Sequence, residues 1–190
     1  MQKDQRAWMR GWMQAAIIYM GKEEMSLPMV MTESLMLSCI IDAKECRDVA
    51  TADIPGAFMQ ADVEGTVHMH LDGVMAEMLL KIALALYSSG WQAARAVIYI
   101  ELKKALYGTL DAALLFWKKL SGSLEEWGFE QNPYNWCVVN KMVNGKQCTI
   151  VWHVDDLKVS HIDPKVVGDV LDQINQEYGK EAPITITGGK

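Results

Sequence analysis

Residues 147–161 read Gln147-Cys148-Thr149-Ile150-Val151-Trp152-His153-Val154-Asp155-Asp156-Leu157-Lys158-Val159-Ser160-His161. Before the acidic pair, Cys148, Ile150, Trp152 and Val154 alternate with Thr149, Val151, His153 and Asp155; after it, Leu157, Val159 and His161 keep the period of two. Such alternation belongs to strands, whose successive side chains point to opposite faces. Two arms of this kind around Asp155 and Asp156 predict a β-hairpin with both carboxylates at its tip. The tip offers hard oxygen ligands at a fixed spacing, the donor type that a divalent cation such as Mg²⁺ prefers. An Asp-Asp pair in a turn equally suits plain solvation. A third carboxylate elsewhere decides between the two.

Working outward, Asn144-Gly145 is a strong two-residue hairpin signal between Trp136–Val143 and Lys146–Val154, so the carboxylate-bearing strand becomes the middle of a three-stranded meander. Asp163-Pro164 opens a helix whose apolar face is Val167, Val170, Leu171, Ile174 and Tyr178, closed by Gly179. Residues 183–187 read as a final strand. Upstream, Ala113, Phe116, Trp117, Leu120, Leu124 and Trp127 mark one face of a long helix ending at Gly128, after a turn at Tyr107-Gly108. Residues 66–70 and 98–103 read as strands, 74–87 as an apolar helix and 88–97 as an irregular connection. Residues 47–54 form a strand that Pro55-Gly56 breaks, with Asp53 at its end, a position that also suits a helix N-cap. Thr32 is placed to cap a helix over 33–45, whose apolar face (Leu35, Met36, Cys39, Ile40, Ala43) reads as core support. Trp8, Trp12, Ala15 and Tyr19 fall at helical spacing.

Composition bounds the function. At 190 residues and 51% hydrophobic, the chain is long enough and apolar enough for one packed domain, or for part of a larger protein. The formal net charge of −6 gives little general affinity for nucleic-acid phosphates, so any such grip needs a local basic patch or further domains. Cys39, Cys46, Cys137 and Cys148 form no CxxC pair and no zinc spacing with His68, His70, His153 or His161, which points to a reducing, intracellular setting. No apolar run approaches the ~20 residues of a membrane span. Lys3, Arg6 and Arg10 ahead of the apolar Ala15 to Met20 bear a faint likeness to a leader segment.

Several stretches together resemble the reverse transcriptase domain of copia-type LTR retrotransposons. Asp53-Ile54-Pro55-Gly56-Ala57-Phe58 is similar to that family's first catalytic motif, an Asp followed five residues later by an aromatic. Lys103-Lys104-Ala105-Leu106-Tyr107-Gly108 with the helix through Trp117 is similar to its nucleotide-side motif, and His153-Val154-Asp155-Asp156 to its Tyr-Val-Asp-Asp box. The likeness covers residues 26–190, with residues 1–25 matched poorly and set apart as degenerate fingers.

The resemblance implies an α+β fold: a polymerase palm, with an antiparallel sheet backed by helices, and part of the fingers. It implies an RNA-directed DNA polymerase whose catalytic residues are Asp53, Asp155 and Asp156, and whose metal positions are Asp53, Ile54, Asp155 and Asp156. Two Mg²⁺ (or Mn²⁺) ions are implied with them, about 3.5–4 Å apart in enzymes of this type. Phe58, Tyr107 and Gly108 are the implied nucleotide-binding positions, Phe58 lying under the incoming sugar to select dNTP over NTP. The implied partners are an RNA or DNA template with its primer, dNTPs and other parts of a retrotransposon polyprotein, in a cytoplasmic particle or the nucleus, with no membrane.

Departures accompany the likeness. His153 replaces the usual Tyr, Asp111, Ala113 and Leu114 stand where many members carry Gln and then Pro-Arg, and the family's primer grip, thumb and RNase H have no counterpart here. A catalytically inactive relic or interaction module retaining the palm is therefore the rival expectation. A metal-dependent phosphohydrolase would share the carboxylates but leaves Phe58 and Tyr107-Gly108 unexplained.

Overall fold

The computed structural model describes residues 17–18, 27–83, 89–92, 95–109 and 111–188. In chain order these form β1 (Ile17–Ile18), α1 (Thr32–Glu45), β2 (Asp48–Asp53), α2 (Ala57–Gln60), β3 (Asp62–Asp72), α3 (Gly73–Ala83), β4 (Ser89–Gln92) and β5 (Arg95–Lys104). They continue with α4 (Ala112–Glu126), β6 (Glu130–Asn132), β7 (Asn135–Val143), β8 (Lys146–His153), β9 (Asp156–His161), α5 (Pro164–Tyr178) and β10 (Thr185–Gly188). The fold is α+β. One sheet has the order β1-β3-β5-β4, the other β10-β2-β9-β8-β7-β6, and every pairing is antiparallel. The larger sheet, backed by α4 and α5, is compatible with a polymerase palm.

Local chemistry accounts for the best-defined elements. Asn144 and Gly145 take φ of 52° and 75°, the left-handed pair that a tight β7–β8 turn requires. The Asp163 carboxylate accepts from the Lys165 amide at 3.0 Å, and Pro164 presets the first turn of α5. From α5, Val167, Val170, Leu171, Ile174 and Tyr178 enter the core with Phe116, Leu120 and Leu124 of α4 and with Ile150, Trp152, Leu157 and Val159 of the sheet. Burying each large aliphatic or aromatic side chain contributes about 1.5–3 kcal/mol. Tyr178 is fully buried, and its hydroxyl donates to Ser123 Oγ at 2.8 Å.

Three local expectations are corrected. The N-cap of α1 is Met31 rather than Thr32, and no side chain caps that end. Residues 88–97 are not an irregular connection: β4 and the start of β5 pair within that stretch, from Ser89 opposite Ile98 to Gln92 opposite Arg95. α1 also faces the other way. Met36 and Ile40 are more than half exposed, whereas Ser38 and Asp42 are buried, because the sheet face beneath the helix is polar and ion pairs decide which side turns inward. The helix expected from Trp8 to Tyr19 lies outside the described residues, except that Ile17–Ile18 form a strand against Met69 and His68.

Candidate active site

Strand register brings the acidic residues to one end of the larger sheet. Asp53, the last residue of β2, stands directly opposite Asp156, the first of β9, and Asp156 stands opposite His153, the last of β8. Opposed residues in an antiparallel pair have Cα atoms about 4.5–5.5 Å apart. The turn between β8 and β9 is Val154-Asp155, and the Ile54 amide donates to the Asp155 carbonyl at 3.2 Å, which ties the tip to the end of β2. Ile54 itself is fully buried, and its side chain belongs to the apolar core.

The backbone at this tip is strained. Val154 has a φ of 60°, a left-handed value that costs a residue with a Cβ about 1–2 kcal/mol. Strain of this kind persists where the surroundings over-determine the backbone. Here β8 and β9 are paired up to both flanks of the turn, His153 with Asp156 and Trp152 with Leu157.

Electrostatics report the same convergence. Burial, then the charge on Asp155, then that on Asp156, raises the pKa of Asp53. The charges of Asp155 and Asp156 thus bear on Asp53 at the sheet end, and a bound cation would relieve that repulsion. The donor set is all oxygen, which fits a hard divalent ion. Among the described residues, no group of three or more His, Cys, Asp and Glu side chains stands ready to hold a metal ion as placed.

Beside the acids lies an aromatic wall. Phe58 on α2 meets Tyr107 with ring centroids 4.4 Å apart and planes tilted by 30°, and has Phe116 behind it at 6.4 Å. The Tyr107 phenol is pushed up by burial and by the charges on Asp155 and Asp53, while main-chain N–H groups at Phe58 and Ala57 act in the opposite sense. Tyr107 is nearly half exposed, so its ring borders both Phe58 and the carboxylates. Gly108 takes a φ of 92°, and a Cβ there would meet nothing within 4 Å. Its glycine is needed for the backbone angle rather than for tight packing.

The structure therefore brings Asp53, Asp155, Asp156, Phe58 and Tyr107 to one end of the sheet, with Gly108 in the adjoining turn. His153 is exposed beside Asp156, and Asp111 occupies the N-cap position of α4. Sequence reasoning missed Lys158, two residues beyond Asp156 on the same strand face, whose ammonium is held by Asp42 and Ser38 of α1. A lysine between Leu157 and Val159 in the strand was the signal, since a largely buried Lys needs a partner. Among the described residues, no helix is long and apolar enough to cross a membrane.

A family model described as reverse transcriptase (RNA-dependent DNA polymerase) matches residues 1–182, which includes the N-terminal stretch that carried no legible motif. No curated protein matches the chain. With that match covering nearly its whole length, the chain belongs to the reverse transcriptase (RNA-dependent DNA polymerase) family.

Proposed function

We propose that this chain is the palm and partial fingers of an RNA-directed DNA polymerase from a copia-type retrotransposon polyprotein. It would extend a primer along an RNA or DNA template with dNTPs. The observation that carries the reading is the register that sets Asp53 opposite Asp156, with Asp155 in the adjoining turn. Asp53 and Asp155, with the main-chain carbonyl of Ile54, would hold two Mg²⁺ or Mn²⁺ ions, and Asp156 would support them. When bound, such ions supply the Lewis acidity that activates a 3′-hydroxyl and stabilises a leaving pyrophosphate.

The remaining steps belong to the protein. The Phe58 ring, backed by Phe116, would close off the space that a ribonucleotide's 2′-hydroxyl needs. Tyr107 would border the sugar, and the open main chain at Gly108 would lie against the nascent base pair. The acidic total charge leaves template grip to other parts of the polyprotein.

A second reading, a non-catalytic module that keeps the palm, is favoured by the apolar side chains that α1 turns outward, Met36, Leu37 and Ile40. Primer extension on poly(rA)–oligo(dT) with Mg²⁺ or Mn²⁺ decides between them. Polymerase function predicts extension that falls more than about a hundredfold in the Asp155→Asn, Asp156→Asn double variant, since metal-borne stabilisation is worth several kcal/mol. Absence of extension from the folded chain selects the module.

A further inference from the structure

The outward side of α1 is apolar along its middle and charged at its ends. Met36, Leu37 and Ile40 are 56%, 58% and 63% exposed, so nothing among the described residues covers them, while Ser38 and Asp42 on the opposite side of the helix are buried. Glu33 stands in the first turn and Lys44 in the last, both exposed. Glu33, Leu37, Ile40 and Lys44 follow the i, i+4, i+7, i+11 spacing that aligns residues on one side of a helix.

The order of groups along this stripe, acid, leucine, isoleucine, base, is its own complement when reversed. Two α1 helices laid antiparallel, centred between Ser38 and Cys39, bring Leu37 of each against Ile40 of the other and Glu33 of each opposite Lys44 of the other. The two ion pairs then close the contact at both ends, about 16 Å apart at the helical rise per residue. The ion pairs that α1 makes with the rest of the described chain come from Asp42 and Glu45, on its inward side and flank, which leaves the stripe's own acid and base for a second molecule.

Charge narrows the class of occupant. The chain carries −6 overall, but this stripe holds one acid and one base and is neutral. Nucleic acid is gripped by several Lys and Arg together, and an anionic membrane surface by a cation-rich rim; the stripe offers neither. A copy of the same stripe offers apolar area together with both complementary charges. Two helices of this length make a small contact, so the association belongs to the weak, concentration-dependent class. We propose that the outward face of α1 is a self-association surface on which two copies of this chain pair antiparallel, Leu37 against Ile40 and Glu33 against Lys44.

Sedimentation equilibrium of the full chain, from micromolar to near-millimolar concentration, tests this. The chain is expected to pass from monomer to dimer across that range, and Ile40→Asp, at the middle of the contact, is expected to stay monomeric throughout. Glu33→Lys or Lys44→Glu alone sets like charges opposite each other at both ends and is expected to weaken the dimer about tenfold. The double variant Glu33→Lys, Lys44→Glu restores opposite charges and is expected to recover the dimer. All three positions are exposed, and a cooperative urea transition in each variant shows that the fold is kept. A parent chain that is monomeric over the whole range overturns the proposal and leaves the stripe to a different protein. Dimerisation that survives Ile40→Asp places the contact elsewhere, and a double variant that fails to recover the dimer refutes the antiparallel pairing; either result overturns the proposal.

Discussion

The two faces of the larger sheet are built on opposite principles. Toward α4 and α5 the strands present Ala50, Ala52, Cys148, Ile150, Trp152, Leu157 and Val159, all but fully buried in one apolar core. Toward α1 the same sheet presents Lys158, Thr149 and Asn140, held by ion pairs and hydrogen bonds, with Asp53 and Asp156 on that face at the sheet end. One face supplies non-directional hydrophobic stability. The other supplies placement, and it is the face on which the carboxylates sit.

The largest expected effect tests the apolar face. Trp152→Ala removes a side chain only 2% exposed and should lower stability by about 3–5 kcal/mol, read as a shift in the urea midpoint. The loss should be insensitive to salt. A salt-dependent loss would mean that this face carries charge chemistry too.

Next comes the polar face. Lys158→Met leaves Asp42 as a buried charge without its ammonium and should cost about 3 kcal/mol or more by the same denaturation. Adding Asp42→Leu should recover most of that loss, since an apolar pair of similar volume replaces a broken ion pair. Failure of the second change to rescue the first would show that the two side chains do not act as a pair.

A smaller effect comes from Asp53. Its folded pKa is raised, so its favourable contribution is complete below the unfolded carboxylate range and is lost as pH rises through the folded value. Asp53→Asn should therefore be more stable than the parent chain at pH 7, with the difference disappearing below about pH 4. A difference of the opposite sign would remove the repulsion of Asp53 by Asp155 and Asp156.

The smallest concerns the turn. Val154→Gly relieves a left-handed φ at some entropic cost and should raise stability by no more than about 1 kcal/mol in thermal unfolding. A loss of stability would mean that the turn is not strained.

Legibility in the sequence divided along similar lines. The β7–β8 hairpin and α5 were readable because their signals are local: Asn144-Gly145 for one, Asp163-Pro164 and a continuous apolar stripe for the other. α1 was readable as a helix but not in its facing, because the polarity of β9 and β8 beneath it decides which side is buried, and no pattern within 32–45 carries that. β4 pairs within a stretch rich in Gly, Ser and Ala, where propensity is weak and the pairing partner β5 decides the outcome. At the site, Asp155 and Asp156 declared themselves through alternation. Asp53 could be joined to them only by resemblance, since the β2–β9 register is a long-range fact, and so is the contact of Tyr107 with Phe58.

Asp53, Asp155 and Asp156 are proposed to act together on divalent cations. Titration of the full chain with Mn²⁺, in the presence of primer–template and dTTP, followed by the loss of the free Mn²⁺ EPR signal, addresses it most directly. Saturable uptake of two ions is expected, weakened more than about tenfold in Asp53→Asn and in the Asp155→Asn, Asp156→Asn double variant. Uptake that is unchanged in both folded variants would contradict it.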